Sequence, residues 1–267
     1  MASKKLAPFD KYFYYRNSVQ SPDIDVVFFD KVYRDLNKKK PHIFREDFCG
    51  TFALSCEWVK LNSENISIGN DLDSEPINYG KKNYLSKLTP EQQSRVNIKK
   101  KNVLNPGLDS ADIICALNFS YFIFKERELL KKYFANCLKK LKPKGLFLID
   151  VFGGSACMEP IEEETEHDDM GFSYYWDQDS YNPINHHAQF YIHFKRYGEK
   201  KREKVFSYDW RMWSIPELRD ILSEVGFSNT IVYWEGTDKK GEGNGIFKRS
   251  ETGEICEGWI AYIVAQR

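Results

Sequence analysis

Between residues 42 and 151 the chain alternates short β-prone runs with helical patterns, and that alternation limits the folds open to it. Residues 43–45 read as a first strand, and the segments NISIGND, RVNIKKKN, ADIICAL and LFLIDVF read as four more. Residues 52–60 and 75–88 fit helices, the latter opened by Ser74 and Pro76. In 125–141, Leu129, Leu130, Tyr133, Phe134, Cys137, Leu138 and Leu141 fall on one stripe. The apolar run ADIICAL suits a strand covered on both faces. Five strands with helices between them predict an α/β, doubly wound, mostly parallel sheet.

The rhythm changes after Phe152. FSYYWDQ, HHAQFYIHFKRY and EKVFSYDWRMW are aromatic and β-prone with no helix between them, which predicts an antiparallel β insertion over 157–213 after the fifth strand. SIPELRDILSEVGF restores a helix, with Ser214 and Glu217 as a capping box and Gly226 as the stop. NTIVYWEG and GWIAYIVAQ are the last two strands. Only a Gly/Lys-rich loop over 237–258 joins them, so they are expected to run antiparallel. The chain thus divides into an N-terminal covering segment (1–41), a core (42–156 and 214–267) and the insertion (157–213).

Charge excludes some partners. Lys+Arg and Asp+Glu both number 39, leaving no net field to draw in nucleic acid or an anionic membrane. The lysine-rich runs at 38–40, 99–101 and 200–204 and the acidic run at 162–169 lack interleaved base-stacking aromatics and read as solvated edges. The six cysteines show no C-x-x-C and no metal-ligand spacing, which predicts reduced thiols, no bound metal and a cytoplasmic protein. The start MASKKLAPFDK has no apolar h-region, and no run approaches a membrane span.

Ligands of doubly wound sheets bind beyond the carboxyl ends of the strands, near the reversal of strand order. The first strand delivers residues 46–51 there and the second delivers Asn70, Asp71, Leu72 and Asp73. A carboxylate ending the second strand can accept from both hydroxyls of a ribose, in a dinucleotide or in an adenosyl amino acid. A pyrophosphate needs several glycines for close backbone approach. Here only Gly50 is present, and the rings of Phe48 and Phe52 would obstruct it. The loop therefore favours an adenosyl ligand without phosphates.

These segments resemble the class I S-adenosylmethionine-dependent methyltransferases, with a Rossmann-like seven-stranded sheet and reversed last strand. EDFCGTF is similar to their first motif, an acid followed by x-G-x-G-x-G, with Phe48 and Phe52 in place of two glycines. IGNDLDSEPINYGKKN is similar to the second motif, and ADIICALNFSYFIF to the fourth. With DVFGG, YDWRMW, YWEGTD and GWIAYIVA, the likeness extends over nearly the whole chain to a bacterial branch of the family, and the insertion is similar to that of small-molecule N-methyltransferases.

The resemblance implies S-adenosyl-L-methionine as cofactor and S-adenosyl-L-homocysteine as product. It implies Glu46 at the methionine amino end, Asp71 at the ribose, and Phe48, Cys49, Gly50, Thr51 and Leu72 around them. Asn102 and Val103 stand where an acid often meets the adenine amino group; the Asn102 carbonyl can still accept. Leu117 and Asn118 fall near the sulfonium, and Tyr15 and Arg16 in the covering segment, with Arg16 or Arg45 for the carboxylate. Tyr14, Tyr121, Tyr175, Trp176, His186, Trp210 and Arg211 are candidates for the acceptor wall. His186 and His187, taken as neighbours in one strand, would face opposite ways.

In-line transfer to a neutral amine demands alignment and exclusion of water but no dedicated base, so no catalytic residue is singled out. The favoured reading is methyl transfer to a small polar acceptor at nitrogen. The alternatives are a nucleic-acid or protein methyltransferase, for which the chain lacks an N-P-P-Y type signature and a basic face, or a non-catalytic adenosyl-ligand-binding protein. A homodimer is left open.

Overall fold

A computed structural model of the chain describes residues 7–239, 241 and 243–267. The first six residues of the covering segment and positions 240 and 242 of the loop at 237–258 lie outside the described residues.

Two helices lead in: α1 (Lys11–Val19), capped by Asp10, and α2 (Pro22–Asn37), with Pro22 at its first turn. The alternating unit follows: β1 (Ile43–Asp47), α3 (Ala53–Leu61), β2 (Ile66–Asp71), α4 (Ser74–Asn83), α5 (Pro90–Gln93), β3 (Val96–Lys100), β4 (Ala111–Ala116), α6 (Arg127–Lys140) and β5 (Leu141–Gly153). The helix expected over 75–88 closes at Asn83 and gives way to a 3-10 turn at Leu85–Lys87. The insertion holds β6 (Ile161–His167), β7 (Phe172–Asn182), β8 (His187–Arg196) and β9 (Arg202–Arg211). The chain ends with α7 (Ile215–Val225), β10 (Asn229–Thr237), β11 (Gly243–Arg249) and β12 (Trp259–Gln266). The Ser214/Glu217 capping box and left-handed Gly226 (φ 107°) bound α7 as its sequence predicts.

The main sheet has the order β11-β10-β12-β5-β4-β1-β2-β3. β3, β2, β1, β4 and β5 are parallel; β12 runs antiparallel to both β5 and β10. Sequence order reverses between β1 and β4, which opens a crevice at their carboxyl ends. The loop between the last two strands holds β11, so the sheet has eight strands rather than seven.

Alternate residues of one strand feed both layers. Ile113 and Cys115 of β4 pack with Phe29, Trp58 and Phe44 beneath α2 and α3, whereas Ile114 and Ala116 pack with Tyr133, Phe134 and Leu218 beneath α6 and α7. The four insertion strands pair antiparallel in the order β6-β7-β8-β9. Their inner face joins the same core, with Phe190 and Trp210 in one cluster with Phe122 and Phe152. The β8–β9 register shifts between Ile192 and Phe194, where left-handed Lys204 (φ 51°) donates its N–H to His193 Nδ1 (2.7 Å). All six cysteines are unpaired, with Cys115 and Cys137 fully buried. Among the described residues no helix is long and apolar enough to cross a membrane.

Candidate functional site

β1 passes into a loop that is left-handed at every second residue: Phe48 (φ 57°), Gly50 (52°) and Phe52 (48°). This backbone costs a side chain roughly 1–2 kcal/mol per residue, so packing must hold the two phenylalanines there. The Phe48 ring lies 5.6 Å from that of Tyr133 and 5.9 Å from that of Phe124. Phe52 is fully buried among Cys49, Cys56, Val59, Ile77 and Leu88. Facing it on α4 is Gly80, where a Cβ would lie 2.5 Å from Phe52 Cε1 and 2.2 Å from the Thr51 carbonyl oxygen. Gly69 in β2 makes similar room for Cys49, whose Sγ would be 2.9 Å from a Cβ there. The glycines therefore stand in the elements on which the loop packs.

Three carboxylates fix the rim. Glu46 Oε2 accepts from the Ser55 amide (3.0 Å) and hydroxyl (2.7 Å), capping α3 where Phe52 offers no side-chain cap. Burial pushes the Glu46 carboxyl up to about 8, against the pull of both Ser55 bonds. Asp71 Oδ2 accepts from the Gly50 amide (2.7 Å) and Oδ1 from that of Asp73 (2.8 Å). Asp150 on β5 accepts from the amides of Asn118 (2.7 Å) and Phe119 (3.0 Å), which are both left-handed. Burial pushes its carboxyl up to about 7, and those two bonds oppose the shift.

Above this rim lies a cleft of about 250 Å³. Its floor is formed by 46–51 with Leu54, one end by Asp73 and Pro76, and the other by Leu117, Asn118 and Ser120. Lys11, Tyr12, Tyr15 and Gln20 from the N-terminal segment and Phe206 and Tyr208 from β9 close over it. The rings of Tyr15 and Phe206 meet at 4.9 Å. Burial raises the Tyr15 phenol to about 12, opposed by a hydrogen bond from Tyr208, and burial also holds the Tyr208 proton firmly. Both phenols therefore hold their protons.

Solved structures share this architecture. The chain aligns with an S-adenosylmethionine-dependent methyltransferase from Clostridium acetobutylicum at 18% identity and TM-score 0.64, covering 94% of each chain. It aligns with an amino pentose methyltransferase from Micromonospora echinaspora, solved with S-adenosylmethionine bound, at 12% identity and TM-score 0.67, covering 99% of each. A sugar N-methyltransferase from Streptoalloteichus sp. matches at 14% identity and TM-score 0.63, over 100% of this chain and 98% of that one. This is the class I methyltransferase fold. No protein-family model matches the sequence, and no curated protein does.

Set in the methyltransferase fold, Tyr15, Glu46, Phe48, Cys49, Gly50, Thr51, Leu117 and Asn118 all line the cleft. Asp71 lies just behind the lining, holding the loop through Gly50. Leu72 is exposed, Val103 is buried in the core, and Asn102 Oδ1 accepts from the Leu104 amide (2.8 Å); none of the three is on the cleft wall.

Several expectations need correction. Phe52 points into the core, so Phe48 alone of the two rings walls the ligand space. Arg16 is spent on the Gln20 carbonyl (2.7 Å) and Asp23 (3.4 Å). Arg45 is fully buried in a bidentate pair with Asp47 (3.0 and 2.8 Å), far too enclosed to reach a ligand. Tyr121 is fully buried, its hydroxyl donating to the Asp150 carbonyl (2.7 Å). Tyr14 packs on Phe9, Phe172 and Phe194. Tyr175 lies on the opposite sheet face to Trp176, its hydroxyl on Glu164 (2.6 Å). Trp210 is buried in the core and Trp176 half-buried against it, both packed with Phe190 and neither on the cleft wall. His186 sits in the β7–β8 turn (φ 60°), outside the strand that begins at His187. Arg211 binds the Lys125 carbonyl (3.0 Å) and tethers the insertion to the core.

Sequence reasoning placed Asp73 near the ligand but missed Lys11, Tyr12, Gln20, Leu54, Pro76, Ser120, Phe206 and Tyr208 as cleft residues. For the β9 pair, the alternation Phe206, Tyr208, Trp210 along one face was the available signal.

Glu162, Asp177 and His193 bring three potential metal-ligand atoms within 4.8 Å of one another on the outer insertion face. His193 Nδ1 accepts the Lys204 N–H, so Nε2 carries the ring proton and donates to Asp177 (3.0 Å). A nitrogen bearing that proton has no lone pair for a cation. A second hollow, of about 430 Å³ between α7 and the start of β10, lies towards the amino ends of the parallel strands, away from the cleft at their carboxyl ends.

Proposed function

We propose that the protein is an S-adenosylmethionine-dependent methyltransferase acting on a small polar acceptor, at nitrogen. The observation that carries the reading is the loop backbone: left-handed at 48, 50 and 52, open above Gly50, and tied to Asp71 at the carboxyl end of β2. An adenosyl amino acid fits the residues present. Asp71 retains lone pairs for ribose hydroxyls, and the buried Glu46 carboxyl at the opposite end suits an ammonium. The structural neighbours solved or described with this cofactor and with amino-sugar or sugar acceptors support the same choice.

When bound, the cofactor supplies an electrophilic methyl on a sulfonium. The protein's share is alignment and dryness. Asn118, held by Asp150, sets the floor at the reacting end, while Tyr15, Phe206 and Tyr208 exclude water from above. The neutral phenols can accept an N–H of the incoming amine and leave its lone pair free for the methyl. No residue need remove a proton before transfer.

Calorimetry with S-adenosylhomocysteine, with NAD as control, tests the ligand, and labelled methyl transfer into a metabolite extract tests the activity. The adenosyl ligand is expected to bind and NAD not to. Binding of NAD alone overturns the assignment.

A further inference from the structure

Gln20 is the C-cap of α1, in extended conformation (φ −132°, ψ 140°), and its backbone carbonyl is pinned by Arg16 Nη1 at 2.7 Å. Gln20 is one of the residues lining the cleft, with Glu46 and Leu117. Its Oε1 is closed to solvent and, among the described residues, has no hydrogen-bond partner. A buried acceptor left unpaired is costly and needs a reason. The helix cap and Arg16 fix the backbone from which this side chain projects.

Resting on the reading above, we infer that Gln20 Oε1 is a binding group for the α-ammonium of the adenosyl amino acid, acting across the cleft from Glu46. The pairing is chemically complete. The ammonium has three N–H donors, Glu46 Oε2 is already engaged by Ser55, and Gln20 brings a neutral acceptor from the covering segment. Binding would then satisfy the orphaned oxygen and fasten the N-terminal segment to the ligand in one contact. Arg16, expected at the methionine end, instead acts by fixing the Gln20 backbone.

The test pairs two ligands with two variants. S-adenosylhomocysteine carries the ammonium and 5′-methylthioadenosine lacks the amino-acid end. Gln20→Met keeps shape and removes the acceptor; Gln20→Glu keeps the acceptor. Gln20→Met is expected to leave the free protein as stable as before or more so in thermal unfolding, because it removes an unpaired polar atom. It should weaken S-adenosylhomocysteine by about tenfold or more, the scale of one bond to a charged donor, and leave methylthioadenosine within about twofold. Gln20→Glu should retain or tighten S-adenosylhomocysteine binding. Equal affinity of Gln20→Met and wild type for S-adenosylhomocysteine overturns the inference, as does equal weakening of both ligands, which would make Gln20 a shape element. A wild-type protein that binds neither ligand overturns the functional reading itself.

Discussion

The ring of Phe52 fills the space that a side chain on Gly80 would need, a Cβ there falling 2.5 Å from Phe52 Cε1. A glycine has in effect been moved from the loop to the helix it packs on. Returning glycine to position 52 therefore does not restore the ordinary loop. Phe52→Gly gains roughly 1–2 kcal/mol of backbone relief but loses a buried ring worth about 3–5 kcal/mol. A net loss of about 1–4 kcal/mol is expected in urea unfolding, and a variant as stable as wild type would show that the ring contributes no more than the backbone strain it offsets.

Asp71 and Asp73 divide their work. Asp71 holds the Gly50 amide, whereas Asp73 caps α4 through the Glu75 amide (2.8 Å). Asp71→Ala should weaken S-adenosylhomocysteine binding more than about tenfold, since bonds to a charged acceptor are each worth about 1.5–3 kcal/mol. Asp73→Ala should chiefly cost stability, about 0.5–2 kcal/mol as for a lost cap. Calorimetry and thermal melts separate the two, and the reverse pattern would place the ribose at Asp73, which lines the cleft directly.

The buried carboxyls make the free protein sensitive to pH in a stated direction. Glu46 and Asp150, raised to about 8 and about 7, keep their protons where the unfolded chain has lost them. Their effect is absent below the ordinary carboxylate range and destabilises progressively as pH rises through about 5 to about 8. Glu46→Gln should flatten that slope. An ammonium ligand favours ionised Glu46, so affinity for S-adenosylhomocysteine should rise with pH over the same window, with proton release seen by calorimetry in buffers of different ionisation enthalpy. An unchanged release in Glu46→Gln would assign the proton elsewhere.

The Arg45–Asp47 pair lies wholly inside the protein, and Asp47 accepts further bonds from Asn70 (3.1 Å) and the Tyr133 hydroxyl (3.1 Å). Neutralising one partner strands the other charge. Asp47→Asn should cost about 3–5 kcal/mol, and Arg45→Met combined with it should recover part of the loss. If the double variant is no better than the single, the neutral partners of Asp47 carry the energy.

The sheet, its reversed strand and the insertion were legible because each rests on periodicity. β11 was not, because nearly every residue of Gly243–Arg249 is exposed and the segment carries no apolar face to read. Within the site, residues 46–51, 117 and 118 were legible from their place after β1 and β4. The roof was not, since it depends on strand register: the pleat puts Tyr175 on the outer face and Tyr208 at the cleft, with Trp210 two residues deeper in the core. Arg45 misled because an arginine beside a ligand loop reads as a ligand group until its partner two residues along the strand is seen.

The insertion sheet ends in two unlike edges. β6 presents Glu162, Glu163, Glu164 and Glu166, while the outer end of β9 carries the mixed run Arg202, Glu203 and Lys204. The β6 of a second molecule laid along β9 would make a heterologous contact, which forms a ring where its rotation closes and a filament where it does not. The bulge at Lys204 bends β9 there and commits its amide to an imidazole. The even ladder that an incoming strand must match is broken part-way along. The left-handed turn at Lys204 thus leaves that edge without a continuous flat ladder for a second strand to join.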